Sequence, residues 1–179
     1  MILSLSPDRL RWFAGLAAIC WIALAEARAA GAQRLPFTVY SADEGLAASQ
    51  VWHVMQDRRG YLWVASTWGL CRYDGVSFTT LSIPEGLPSP NVRLTLEDGN
   101  GTLWIGFYEG GVARYANGRF TEFTTEDGLP DGLISALHLD QSGRLWAASA
   151  LGGLSRVDDP AAVRPGFVNY STDNGLASN

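Results

Sequence analysis

The pattern Asp-x-x-Gly-x-Leu-Trp returns three times in this chain at an almost constant interval: Asp57 to Trp63, Asp98 to Trp104 and Asp140 to Trp146. The steps between the tryptophans are 41 and 42 residues. A period of that size marks an array of one supersecondary unit that buries its apolar faces against its own copies. It also sorts the residues. Those kept in every copy build the unit, and those that differ at one address are free to carry a particular function.

The repeat extends beyond that phrase. Gly-Leu pairs stand at 45–46, 86–87, 128–129 and 175–176. Val51, Val92 and Ile134 follow the first three, and Gly69, Gly111 and Gly153 follow the tryptophans. Arg72, Arg114 and Arg156 each lie three residues past those glycines, and Phe78, Phe120 and Phe167 open the closing segment. In the first copy, Val51 to Gln56 and Tyr61 to Ser66 read as strands around the turn Arg58-Arg59-Gly60. Leu70 to Tyr73 and Ser77 to Ser82 flank Asp74-Gly75, a hairpin signal. Helical periodicity is absent after residue 35. Four short strands and a recurring Trp per period of about 40–45 residues predict an all-β chain of β-propeller blades.

The phase of the pattern predicts three four-stranded antiparallel blades, at about 49–83, 90–125 and 132–171. Pro36 to Tyr40 matches the fourth strand of a blade, with Phe37 at the address of Phe78, and so is expected as an orphan outer strand. Propellers close with typically 4–8 blades, so three blades make an incomplete ring. The expectation is an N-terminal portion of a longer protein, with self-association of the isolated blades through their open ends.

Residues 1–32 read differently. Arg9 and Arg11 precede an apolar run from Trp12 to Leu24, too short for an ordinary membrane span. Ala27-Arg28-Ala29 and Ala30-Gly31-Ala32 fit the small-residue cleavage rule. A secretory signal peptide with cleavage before Gln33 is expected, and Ile19 before Cys20 fits a lipoprotein site poorly. All thirteen basic residues are arginine. Removing the leader takes away three of them and two of the eighteen acidic residues, which leaves a net charge of −6. That acidity argues against nucleic acid and against anionic membrane surfaces. Cys71 alone would remain, at the address of Ala113 and Ser155, which makes it a small strand residue and rules out an intrachain disulfide.

The run of Gly-Leu, β-branched residue, Asp-x-x-Gly-x-Leu-Trp, Gly-Leu, Arg-Tyr-Asp-Gly and Phe resembles the two-component regulator propeller repeat. The resemblance covers residues 36–179. The chain departs from the repeat just past the tryptophan, where Ala65-Ser66, Gly106-Phe107 and Ala148-Ser149 stand in place of Gly-Thr. The resemblance implies the periplasmic sensor region of a membrane-tethered signalling protein, upstream of a histidine kinase or diguanylate cyclase. The remaining blades and that output domain would then be its partners.

No catalytic or metal centre is expected. His53 and His138 fall in strands at different repeat addresses, where packing is the ordinary role, and two distant histidines do not form a metal site. Asp57, Asp98 and Asp140 invite an acid–base role, but their recurrence argues for a turn-stabilising one. The addresses that vary lie on the loops entering the first strand and joining the second to the third, which share one face of a propeller. There Trp52, Trp68, Arg93, Tyr108, Glu109 and Asp131 are the ligand-binding candidates, since aromatic, cationic and carboxylate groups together suit an oligosaccharide or small polar molecule. The alternative for Trp68 and Tyr108 is packing between blades. No cofactor is implied. Two other functions fit a propeller: a carbohydrate-active lyase or glycosidase, and a protein-interaction scaffold. The first is weakened because Asp-x-x-Gly-x-x-Trp has one residue more than the sialidase-type Asp-x-Gly-x-x-Trp box.

Overall fold

Each period folds as one antiparallel sheet whose strands pair in chain order. The computed structural model describes residues 36–177. All three sheets belong to the compact unit that begins at Val39. The first sheet holds β1 (Val51–Gln56), β2 (Leu62–Ser66), β3 (Gly69–Tyr73) and β4 (Phe78–Leu81). The second holds β5 (Val92–Glu97), β6 (Leu103–Phe107), β7 (Val112–Ala116) and β8 (Arg119–Phe123). The third holds β9 (Ile134–Leu139), β10 (Leu145–Ser149), β11 (Gly153–Val157) and β12 (Phe167–Tyr170). The first strands β1, β5 and β9 neighbour one another across the sheets, so the blades fan out from that edge. The three blades form no closed ring. The expected signal peptide lies outside the described residues. Residues 36–40, expected as an outer strand, are not strand. A lone extended segment needs a neighbouring ladder for its N–H and C=O groups, and none pairs with it here.

Alternation along the second strand explains how the blades stack. Trp63 and Ala65 point to one face of blade 1, and Leu103, Ile105 and Phe107 to the facing side of blade 2. Together with Leu70, Leu87, Val92 and Ala113 they make one buried cluster. The other face of blade 2 presents Leu94, Trp104, Val112 and Phe123 to Ile134, Leu145, Ala147 and Val157 of blade 3. Trp63 and Trp104 therefore each pack on the blade that follows. Trp104 is wholly buried and Trp146, which has no following blade in this chain, is half-buried. Close stacking also explains Gly106 at an address that holds Ala65 and Ala148 in the other copies. A Cβ there would lie 2.7 Å from Ile134 Cγ2, inside van der Waals contact.

Short 3₁₀ turns join the blades, at Ala42–Glu44, Ile83–Glu85, Thr125–Asp127 and Thr172–Asn174. Each is closed by a capping box between a Ser or Thr and the Glu, Asp or Asn three residues on, which satisfies otherwise orphaned N–H groups. The glycine of each Gly-Leu pair ends its turn with positive φ, for example 91° at Gly86, a conformation that costs glycine little. The next residue then drops inward, so Leu87 and Leu129 are buried in the two interblade clusters.

Candidate functional site

The recurring aspartates are structural, and the geometry repeats closely. Asp98 Oδ1 accepts from the backbone N–H of Asn100 at 2.8 Å and of Thr102 at 3.0 Å, while Oδ2 accepts from Trp104 Nε1 at 3.1 Å. Asp57 binds Arg59 N, Tyr61 N and Trp63 Nε1 at 2.9 Å each. Asp140 does the same with Ser142 N, Arg144 N and Trp146 Nε1. The Trp146 indole N–H, together with Arg144, holds the Asp140 carboxyl well below the usual carboxylate range against a smaller opposing effect of burial. One carboxylate thus ties the tight turn to the core tryptophan beside it. The same three kinds of donor meet the aspartate in each blade, as a turn-stabilising role requires.

The first strand of every blade opens with a β-bulge. Strand register shifts between Val51 and His53, between Val92 and Leu94, and opposite Ala148/Ser149. The unpaired residues are Trp52, Arg93 and Ser135, one repeat address with three different side chains. A bulge re-aims the side chain it carries. Here it brings two of the candidates together: the Arg93 guanidinium lies 4.8 Å from the Trp52 ring centroid. Tyr108 stacks on the same indole at 6.4 Å with 20° between ring planes. Tyr108 is held by its backbone N–H to Asn91 O at 3.0 Å and keeps 46% of its surface exposed. Glu109 follows it and accepts from Ser89 Oγ at 2.9 Å and Asn91 Nδ2 at 3.0 Å. Trp52 Nε1 and Asn91 Oδ1 are buried and have no hydrogen-bond partner. A buried indole N–H or amide oxygen left unpaired costs about 1–3 kcal/mol.

The other candidates sit around this cluster. Asp131 shares with Glu109 a small cleft of about 170 Å³ at the blade 2–blade 3 junction. Its Oδ1 accepts from Gly132 N at 2.8 Å, and its carbonyl accepts from Ser149 Oγ. Trp68 stands apart on the turn between β2 and β3, 69% exposed, so it does not pack between blades. His53 joins the inner strands of blades 1 and 2, its Nδ1 3.3 Å from both Thr95 N and Thr95 Oγ1. Burial and the nearby Arg93 charge lower its pKa below the ordinary imidazole value. Sequence reasoning placed Asn91 on this rim, though outside the final candidate set, and passed over Ser89, which organises the rim with it. Their signal was available: Ser89 and Asn91 stand just before the bulge, next to the one copy that carries a carboxylate two residues past its second strand.

Among the described residues no group of three or more His, Cys, Asp and Glu side chains could hold a metal ion. No helix among them is long and apolar enough to cross a membrane.

Known proteins place this architecture. The two-component regulator propeller family matches residues 45–68 and 86–109, two of the three copies described above. No curated protein matches the chain by sequence. Among solved structures, the chain is similar to the extracellular domain of a putative hybrid two-component system from B. thetaiotaomicron. The TM-score is 0.68 at 22% identity, over 81% of this chain and 20% of that one. It is similar to the extracellular domain of a putative one-component system from the same organism, with a TM-score of 0.63 at 20% identity, over 80% and 22%. A third likeness is to PorZ of Porphyromonas gingivalis, an essential surface component of its type-IX secretion system. There the TM-score is 0.57 at 19% identity, over 74% and 22%. The chain spans about a fifth of the length of each of these structures, and at such identities the likeness is one of fold.

Proposed function

We propose that this chain, which carries repeats of the two-component regulator propeller family, supplies exported, ligand-sensing blades to a signal-transduction protein. The observation that carries the reading is the cluster of Trp52, Arg93 and Tyr108. These residues occupy addresses that vary between copies, two of them on β-bulges, and they meet on one rim. A half-exposed tyrosine beside an indole and a guanidinium suits a sugar ring or another small polar molecule, with ring faces for its apolar side and charged donors for its oxygens. The leader read at residues 1–32 supports export. The output, a kinase or cyclase across the membrane, belongs to the same proposal and rests on the family alone.

The test is a binding screen of the purified chain against neutral and acidic mono- and oligosaccharides and amino acids, read by calorimetry. A hit is expected to weaken at least tenfold in Arg93→Ala and Tyr108→Ala, with unchanged melting temperatures. Hits that bind both variants like the parent chain would place sensing elsewhere.

A further inference from the structure

The opposite rim, built from the turns between first and second and between third and fourth strands, takes no part in the site above. Between blades 1 and 2 it opens into a cleft of about 430 Å³ whose walls include Arg59, Tyr61, Arg72, Asn100, Tyr115 and Asn117. We propose that this cleft is a second ligand site, for a carboxylate-bearing molecule of about monosaccharide size gripped by Arg72 and Arg59. It stands independently of the sensor reading.

The argument comes from comparing the two interblade junctions. Arg114 holds the repeat address of Arg72, and at the blade 2–blade 3 junction its guanidinium is engaged by backbone carbonyls. It donates to Pro160 O at 3.2 Å, Ala162 O at 2.7 Å and Val163 O at 3.4 Å. Those carbonyls are presented by the long connection between β11 and β12 of the next blade. In blade 2 the same connection, between β7 and β8, is the two-residue turn Asn117-Gly118, too short to reach back over blade 1. Arg72 is left stacked 4.8 Å from the Tyr61 ring centroid, and no acceptor among the described residues meets its guanidinium. The cleft lies where the carbonyls of the next junction would be.

Two carboxylates, those of Asp57 and Glu97, also line the cleft, and neither forms an ion pair with Arg59 or Arg72. Asp57 accepts from Arg59 N, Tyr61 N and Trp63 Nε1. Glu97 Oε2 is held by Arg58 N at 2.9 Å. The ion pairs among the described residues are Arg144 with Asp140 and Arg156 with Asp158, both outside this cleft. A planar guanidinium pairs best with a carboxylate, through two parallel charge-assisted bonds. The Tyr61 and Tyr115 rings give the apolar walls that a sugar-sized body needs, and the volume falls within the roughly 300–1,000 Å³ of small-molecule sites.

Isothermal titration of the full chain with glucuronate, galacturonate and succinate, with glucose and inorganic sulfate as controls, tests this. At least one carboxylate is expected to bind tenfold or more tightly than glucose and sulfate. Arg72→Gln should weaken that binding at least tenfold at an unchanged melting temperature. Arg59→Gln, on an exposed turn that tolerates substitution, should weaken it too, and Arg93→Ala on the far rim should leave it unchanged. Absence of carboxylate binding, equal binding of glucose or sulfate, or unchanged affinity in Arg59→Gln would overturn the proposal.

Discussion

At the scale of single residues, this chain separates what holds a blade from what varies between blades. Asp98 is buried and accepts three hydrogen bonds, one of them from the core tryptophan. Truncating it strands three donors, and hydrogen bonds to a charged acceptor are worth about 1.5–3 kcal/mol each without being additive. Asp98→Ala is expected to lower stability by roughly 3 kcal/mol in urea denaturation. His53 gives a pH dependence of definite sign. Its folded pKa is lowered, so the unfolded chain binds the proton more readily and stability falls as pH drops below about 6.5. His53→Gln should flatten the melting-temperature profile between about pH 7 and pH 5. The turn-stabilising role of the aspartates was legible from their recurrence at one address. The Asp–Trp bond was not, because the residues stand six apart and meet only once the hairpin between them has formed.

At the scale of elements, strand order and turn positions were readable to within a residue, since the three copies reinforce one another. Tyr61, read as strand, falls just outside β2, and Ser77 and Ser82 fall just outside β4. The 3₁₀ turns went unread although their signal recurs four times as Ser or Thr, two residues, then Glu, Asp or Asn before Gly-Leu. The bulges were not legible at all. A bulge depends on the partner strand having one residue fewer at that point, which is a property of pairing and not of the segment. Yet the bulges decide the candidate site, because they bring Trp52 and Arg93 into contact. Stacking predicts unequal roles for the repeated tryptophans. Trp104→Ala opens a cavity in a fully packed interblade cluster and should cost about 3–5 kcal/mol. Trp146→Ala removes a half-buried ring stacked on Tyr170 at 5.8 Å and should cost clearly less. Chemical denaturation of the two variants under one set of conditions gives the ordering.

At the scale of the whole molecule, three blades stack through two apolar interfaces and leave the outer side of blade 3 without a following blade in this chain. Stacked arrays expose apolar surface at uncovered ends. The purified chain is therefore expected to self-associate, with a sedimentation coefficient that rises with concentration, and a strictly monomeric species with a sharp melt would contradict that. Exported material should begin near Gln33, which N-terminal sequencing reads directly. The central claim is that repeated residues build these blades while the varying rim residues bind. The most direct measurement is a thermal melt and a ligand titration, run side by side on Arg93→Ala and Asp98→Ala with a ligand from the binding screen. The account predicts that Arg93→Ala melts like the parent chain and loses at least tenfold in affinity, whereas Asp98→Ala melts lower and, at temperatures where it is still folded, binds normally. Normal binding by Arg93→Ala, or lost binding by fully folded Asp98→Ala, would contradict it.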